Sequence, residues 1–418
     1  MIRITLILLF TFVFVACGTE QKPHEAEISS ETKADLHSTI LTLDSHLDTP
    51  MLFHRENYTF ANRGSYEVDG TNVDLVRLKE GNLDGGFWVI YTQPGQLNKE
   101  SYVAARTSAL LRQMAIREMA AKYSDSVELA FAADDARRIH DSGKIVVYQS
   151  MENAYPLGED ISLLESFYVA GLRMIGPVHF KNNQFADSAT DEPLYGGLSE
   201  LGKQLVLEAN RLGLILDGSH ASDQAKLDMI ALSTTPIILS HSGPDGVYDH
   251  PRNVPDEILL KLAATGGVIH VNAFSSYLEQ LTPSAERAAA LKELEQQFGA
   301  TAAKRTEQQQ KAFSAAMSEV NDKFPRSQST FEKFMEHLHY TLNLVGVNHV
   351  GIGADWDGGG GVIGMTDVTT VNKITNELIA AGYSAQDIEK VWSGNILRLL
   401  RQAEQARTSD LQSPNVLN

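Results

Sequence analysis

Short apolar, β-branched runs recur along the chain, spaced so that a helix fits between most neighbours. Eight stand out: residues 40–48 (ILTLDSHLD), 85–93 (GGFWVIYTQ), 144–152 (KIVVYQSME), 171–179 (GLRMIGPVH), 212–220 (LGLILDGSH), 235–243 (TPIILSHSG), 266–274 (GGVIHVNAF) and 348–359 (NHVGIGADWDGG). Runs that are continuously apolar, not alternating with polar residues, suit strands buried on both faces of a parallel sheet. Between them lie helical patterns such as SYVAARTSALLRQMAIREMAAKY, SELGKQLVLEANRLG and DEILLKLAATG, the last closed by glycine. Eight strands alternating with helices predict an α/β protein of the (β/α)8 TIM-barrel type, in preference to an open sheet. One stretch departs from the alternation. Residues 280–330, rich in Ala, Gln, Lys and Glu, predict one or two solvent-exposed helices inserted before the last strand; FEKFMEHLHYTLNLVG then supplies the helix leading into that strand.

The first residues, MIRITLILLFTFVFVAC, are patterned for another purpose. Arg3 is a short basic start, and Ile4 to Ala16 is an apolar run of signal-peptide length, short for a membrane span. The run ends in Val15-Ala16-Cys17-Gly18, and Cys17 is the only cysteine. This looks like a bacterial lipoprotein signal, which implies export to the cell envelope and anchoring to a membrane through a lipid on Cys17. The expected organisation is a signal peptide (1–16), a lipidated N-terminus with a flexible polar tether (17–37), one barrel domain (38–405) and a polar C-terminal tail (406–418). With one cysteine no internal disulfide can form, so the domain depends on its core. The formal charge of −18 disfavours nucleic acid or an anionic membrane surface as the main partner, because like charges repel.

The ends of the predicted strands carry the chemistry. His46 and Asp48 close the first, Glu152 the third, His179 the fourth, His220 the fifth, His241 the sixth and Asp355 the eighth. In a closed parallel barrel these C-terminal ends meet at one rim, where barrel active sites are built. A single histidine there is ordinarily structural; repetition at six strand ends points to a metal site. Imidazoles mixed with carboxylates suit zinc or another borderline divalent ion, whereas all-oxygen sets suit magnesium or calcium. The donors exceed what one catalytic ion needs. A glutamate can bridge two ions that share an activated water. A carboxylate and a histidine are then left for proton transfer and for stabilising an oxyanion.

Taken in order, the segments LDSHLDTP, NVDLVRLKEGNLDGGFW, SMEN, GLRMIGPVHFKNNQFADS, GLSELGKQLVLEANRLGLILDGSH, PIILSHSGP, HPRNVPDEIL, GGVIHVN, HVGIGADWDGG and SGNILRLL resemble the membrane (renal) dipeptidase family over about residues 40–402. These are binuclear zinc peptidases on an amidohydrolase-like barrel. The resemblance implies zinc-dependent hydrolysis of a dipeptide substrate, with two Zn2+ per chain and a metal-bridging hydroxide attacking the peptide carbonyl. It implies that His46 and Asp48 bind the first ion, that Glu152 bridges, and that His220 and His241 complete the second. His179 would polarise the scissile carbonyl, Arg252 would hold the substrate carboxylate, and Asp355 would handle the proton of the attacking water. It further implies tolerance of D or L residues at the C-terminal position, admits β-lactam hydrolysis as a side activity and leaves homodimer formation open.

Two residues depart from the family pattern: Ser45 and Asn153 stand where glycines are usual. Asp357 and Gly358 are expected only to shape a turn. The alternative is another binuclear amidohydrolase acting on a cyclic amide or related small molecule. Such enzymes often bridge their ions with a carbamylated lysine on strand four, whereas the bridging candidate here is Glu152 on strand three. A non-catalytic binding lipoprotein built on the same barrel would be expected to lack a ligand.

Overall fold

A computed structural model describes residues 36–55, 58–299 and 307–408. The expected signal peptide, Cys17, all but the last two residues of the tether, and the tail from residue 409 onward lie outside the described residues. The strands, in chain order, are β1 (Asp44–Leu47), β2 (Gly85–Ile90), β3 (Val127–Leu129), β4 (Ile145–Met151), β5 (Leu172–Ile175), β6 (Ile215–Leu216), β7 (Ile238–Pro244), β8 (Asn253–Val254), β9 (Val268–Val271) and β10 (Val350–Ile352). Their pairings are parallel. One curled run is ordered β1-β2-β4-β5-β6 and a second β10-β9-β7. Parallel bridges between Asp217 and Ile238 and between Leu47 and Trp356 join the two runs at both edges and close the ring.

Each of the eight apolar runs thus supplies one stave. β3, which pairs with β4, and β8, which pairs with β7, lie outside the ring. At three and two residues they are too short to leave a periodic signal.

Two apolar clusters explain why the staves read as unbroken runs. Phe87, Val146, Met174, Ile215, Ile238 and Val268 belong to one, with Ile396 and Leu400 of the C-terminal helix. Their chain neighbours Trp88, Val147, Ile175, Leu216, Leu239 and Ile269 belong to the other. Successive residues of a strand point to opposite faces, so a stave buried on both sides must be apolar at every position. The surrounding helices start where short polar side chains can accept orphan amides. Asn98 caps Lys99–Lys122 and Ser199 caps Glu200–Leu212, the latter ended by Gly213 in the left-handed conformation. The stretch before the last stave holds two helices, Ala285–Phe298 and Glu307–Lys323. They are tied by Arg287, which donates to the Phe324 carbonyl and to Asn321 Oδ1, and by an edge contact between Phe298 and Phe313.

Buried carboxylates hold the rim in register. Asp44 accepts from the amides of His46 (2.8 Å) and Ala354 (3.0 Å), which locks the end of β1 to the turn after β10. In that turn Asp355 and Asp357 both adopt left-handed backbone (φ 65° and 63°). A Cβ on Gly358 would lie 2.1 Å from Asp48 Oδ2, so only glycine fits. Asp357 does more than shape the turn: it accepts from Thr49 Oγ1 (2.7 Å) and the Asn72 amide (2.6 Å), joining three loops. The two departures from the family pattern also find roles. Ser45 donates across the barrel interior to the Ser240 carbonyl, and Asn153 bonds Thr92 O and Asn183.

Candidate metal centre

The strand ends deliver their side chains to one buried cluster at the C-terminal rim. Its focus is Glu152 Oε1. His220 Nε2 stands 3.0 Å from it, His46 and His241 Nε2 both 3.4 Å, and His179 Nε2 3.5 Å. Asp48 Oδ2 lies 3.4 Å and Asp355 Oδ1 4.0 Å from His46 Nε2. His220 and His241 bring their Nε2 atoms to 2.9 Å. Three overlapping sets of donors lie within 4.8 Å of one another: His46, Glu152 and His241; Glu152, His179 and His220; and His46, Asp48 and Asp355. The seven strand-end residues singled out in the sequence are therefore all brought together.

The electrostatics of this cluster fit cations among the donors. Burial would raise the Glu152 pKa, but the imidazoles, His179 and His46 foremost, hold it well below the usual carboxylate range. Burial drives His179 down to about 4, His241 to about 3 and His220 well down, so these rings are neutral, as metal ligands must be. His46 goes the other way: burial opposes its charge, but Glu152 and Asp48 outweigh that and raise it. Asp355 is lifted to about 8 by burial, against the pull of His46 and with the push of Asp48 and Glu152. Asp48 is raised as well, chiefly by burial. One cause underlies these opposed shifts. Lone pairs and negative charges crowd a dry site, a donor set that suits divalent cations. Both ring nitrogens of His46 and Oδ1 of Asp48 are buried without a hydrogen-bond partner, which marks them as donors waiting for an ion.

Behind the cluster the ligands are aimed by satisfied groups. Asp217 Oδ1 accepts from the Ser219 amide and hydroxyl and from the Ser240 amide, and Oδ2 accepts from Ser240 Oγ at 2.6 Å. The single Ser240 hydroxyl proton is thereby used, so Ser240 Oγ accepts from His241 Nδ1 at 2.8 Å. That fixes the tautomer and leaves His241 Nε2 bare toward Glu152. Arg252, also buried, donates through its Nη groups to the carbonyls of Ser219 and His241 and stands 5.4 Å over the Tyr277 ring.

Sequence reasoning missed several neighbours. The second stave ends in Tyr91, whose ring meets His179 edge-on at 4.9 Å, and the seventh in Asn272, which donates to the His241 carbonyl. Phe180, directly after His179, packs at 4.0 Å on that imidazole. Asp217 and Ser240 sit beside ligands, three and one residues before a histidine. Their only sequence signal was position at a strand end, which core and turn residues share.

Residues 30–414 match the family described as Membrane dipeptidase (Peptidase family M19). The chain is 30% identical over 344 residues to dipeptidase tcpJ of Claviceps purpurea (strain 20.1), covering 81% of this chain and 71% of that protein. Among solved structures, it resembles the probable dipeptidase PvdM from Pseudomonas aeruginosa with a TM-score of 0.79 and 31% identity, over 90% of this chain and 98% of that one. A metallo peptidase from Rhodobacter sphaeroides, solved with a phosphinate mimic of the dipeptide L-Ala-D-Ala, aligns with a TM-score of 0.68 and 25% identity, over 87% and 99% of the two chains.

The Asp217–Ser240–His241 relay yields a direct expectation. Ser240→Ala removes the acceptor that orients His241 and should weaken metal binding about 10- to 100-fold, as loss of an outer-shell partner typically does. Competition against a chelator of known affinity measures this; an unchanged affinity would show that His241 needs no such partner.

Proposed function

Because the chain belongs to the membrane dipeptidase family (peptidase family M19), we propose that it hydrolyses dipeptides at a centre of two zinc ions bridged by Glu152. The observation that carries this reading is the convergence of four imidazoles on one buried carboxylate oxygen, with Asp48 and Asp355 beside them. His46 and Asp48 would hold one ion together with Glu152, and His220 and His241 would hold the other. A bound ion pair supplies Lewis acidity for the carbonyl and an acidified water near neutral pH.

The remaining steps belong to the chain's own residues. Asp355 is not needed as a ligand in this assignment. Its buried carboxyl, 4.0 Å from His46 Nε2, is placed to take the proton of the attacking water and pass it to the leaving amine. His179, kept neutral by burial, donates a hydrogen bond to the scissile carbonyl oxygen as charge develops there. Arg252 receives the substrate's terminal carboxylate. Two of its five N–H groups are spent on the Ser219 and His241 carbonyls, while buried Nε has no partner. A guanidinium held on the carbonyls of Ser219 and His241, next to the cluster histidines, measures a short span from scissile bond to carboxylate, so one residue fits between them. The likeness to the Rhodobacter sphaeroides peptidase, solved with a mimic of L-Ala-D-Ala, supports acceptance of a D residue at the C-terminal position.

The zinc-loaded protein should cleave dipeptides with a free C-terminal carboxylate and act roughly 10- to 100-fold more weakly on their C-terminal amides, because an amide leaves a buried cation unpaired. Steady-state rates on matched dipeptides, amides and tripeptides decide this. Equal rates on acids and amides would remove Arg252 from the role given to it.

We further infer export and lipid anchoring at Cys17, supported by the apolar run ending in VACG. No helix among the described residues is long and apolar enough to cross a membrane. Cells fed a fatty-acid analogue should label the wild type and not Cys17→Ser; unlabelled, freely released wild type would point to an ordinary signal peptide.

A further inference from the structure

Phe180 is a large apolar side chain left 41% exposed beside the buried cluster. Its ring packs at 4.0 Å on His179 and meets His220 edge-on at 5.1 Å. On the other partner of His179, Tyr91 approaches edge-on at 4.9 Å, so the imidazole is bracketed by two aromatic rings. The backbone that carries Phe180 is held on both sides. Its carbonyl accepts from Thr190 Oγ1 (3.0 Å), and Asn182 bonds Asp191, Glu192 and Ser188. Asn183 bonds Pro177 O and Asn153. Scattered exposed apolar residues are ordinary; one fixed by its loop over two imidazoles of a reactive cluster is placed for a ligand.

Geometry says which part of the substrate meets it. This step rests on the dipeptidase reading above, in which His179 faces the scissile carbonyl. That carbonyl belongs to the N-terminal residue, whose side chain branches one bond away and must pass the rings flanking His179. Arg252, held by the Ser219 and His241 carbonyls, and Tyr277 beneath it are left for the C-terminal residue. An acidic side chain over Phe180 would give up water for an apolar ring, and Lys181, next in the chain, is already paired with Asp191 at 3.2 Å. We propose that Phe180, with Tyr91 across His179, sets a preference for dipeptides whose N-terminal side chain is bulky and apolar.

The test compares kcat/KM of the zinc-loaded protein on Leu-Ala, Phe-Ala, Gly-Ala and Asp-Ala. The wild type should favour the first two over the last two by about tenfold or more, the usual discrimination of an apolar pocket. Phe180→Ala should shrink that ratio about tenfold, through KM, while Phe180→Leu keeps most of it and both variants keep their bound metal. A wild type without the preference, or a Phe180→Ala variant whose losses are uniform across the four substrates, would overturn the proposal. Failure of the metal-loaded wild type to cleave any dipeptide would contradict the function itself, and this inference with it.

Discussion

The constraint on which the rest of the structure depends is the burial of Glu152 at the meeting point of four imidazoles. An isolated carboxylate in a dry interior is costly by many kcal/mol and ordinarily takes up a proton instead. Here the imidazoles hold it ionised, and Asp355 and Asp48 bear the compensating upward shifts. A site so short of positive charge favours cations, and the barrel's parallel staves are what bring the donors from six strand ends to within a few ångströms.

The buried carboxylates divide into two kinds, and the division separates scaffold from reactive group. Asp44, Asp217 and Asp357 are hydrogen-bonded by amides and hydroxyls and join, respectively, β1 to the turn after β10, β6 to β7, and the turn to the loops at Thr49 and Asn72. Asp48, Glu152 and Asp355 face imidazoles and one another. Carboxylates tied to backbone and hydroxyl groups lock geometry; those facing imidazoles keep lone pairs for ions. The outer set thus fixes where the inner set points before any ion or substrate arrives.

Much of this was legible in the sequence. Staves buried on two faces must be apolar at every position, so runs such as KIVVYQ and LGLIL were plain, and the polar residue ending each run marked the rim. Parallel closure then forced those residues together without any side-chain detail. What stayed hidden has physical reasons too. β3 and β8, at three and two residues, lie in none of the long apolar runs that mark the staves. Asp217 and Ser240 read as turn and strand residues, because their role lies in a hydrogen-bond pattern and not in their spacing. Tyr91 and Phe180 stand in runs whose composition says nothing of which face an aromatic presents. For the same reason the sequence could not apportion residues 280–330 between one helix and the two that form.

The central claim is that Glu152 organises a two-ion centre, and metal content measures it most directly. After zinc-sufficient preparation and dialysis, the wild type should hold close to two zinc ions per chain by elemental analysis, and Glu152→Gln should lose most of that metal. Asp355→Asn, which removes a proton carrier and not a ligand, should retain both ions while turnover falls by roughly 100-fold or more. One ion or fewer in the wild type, or two in Glu152→Gln, would contradict the account.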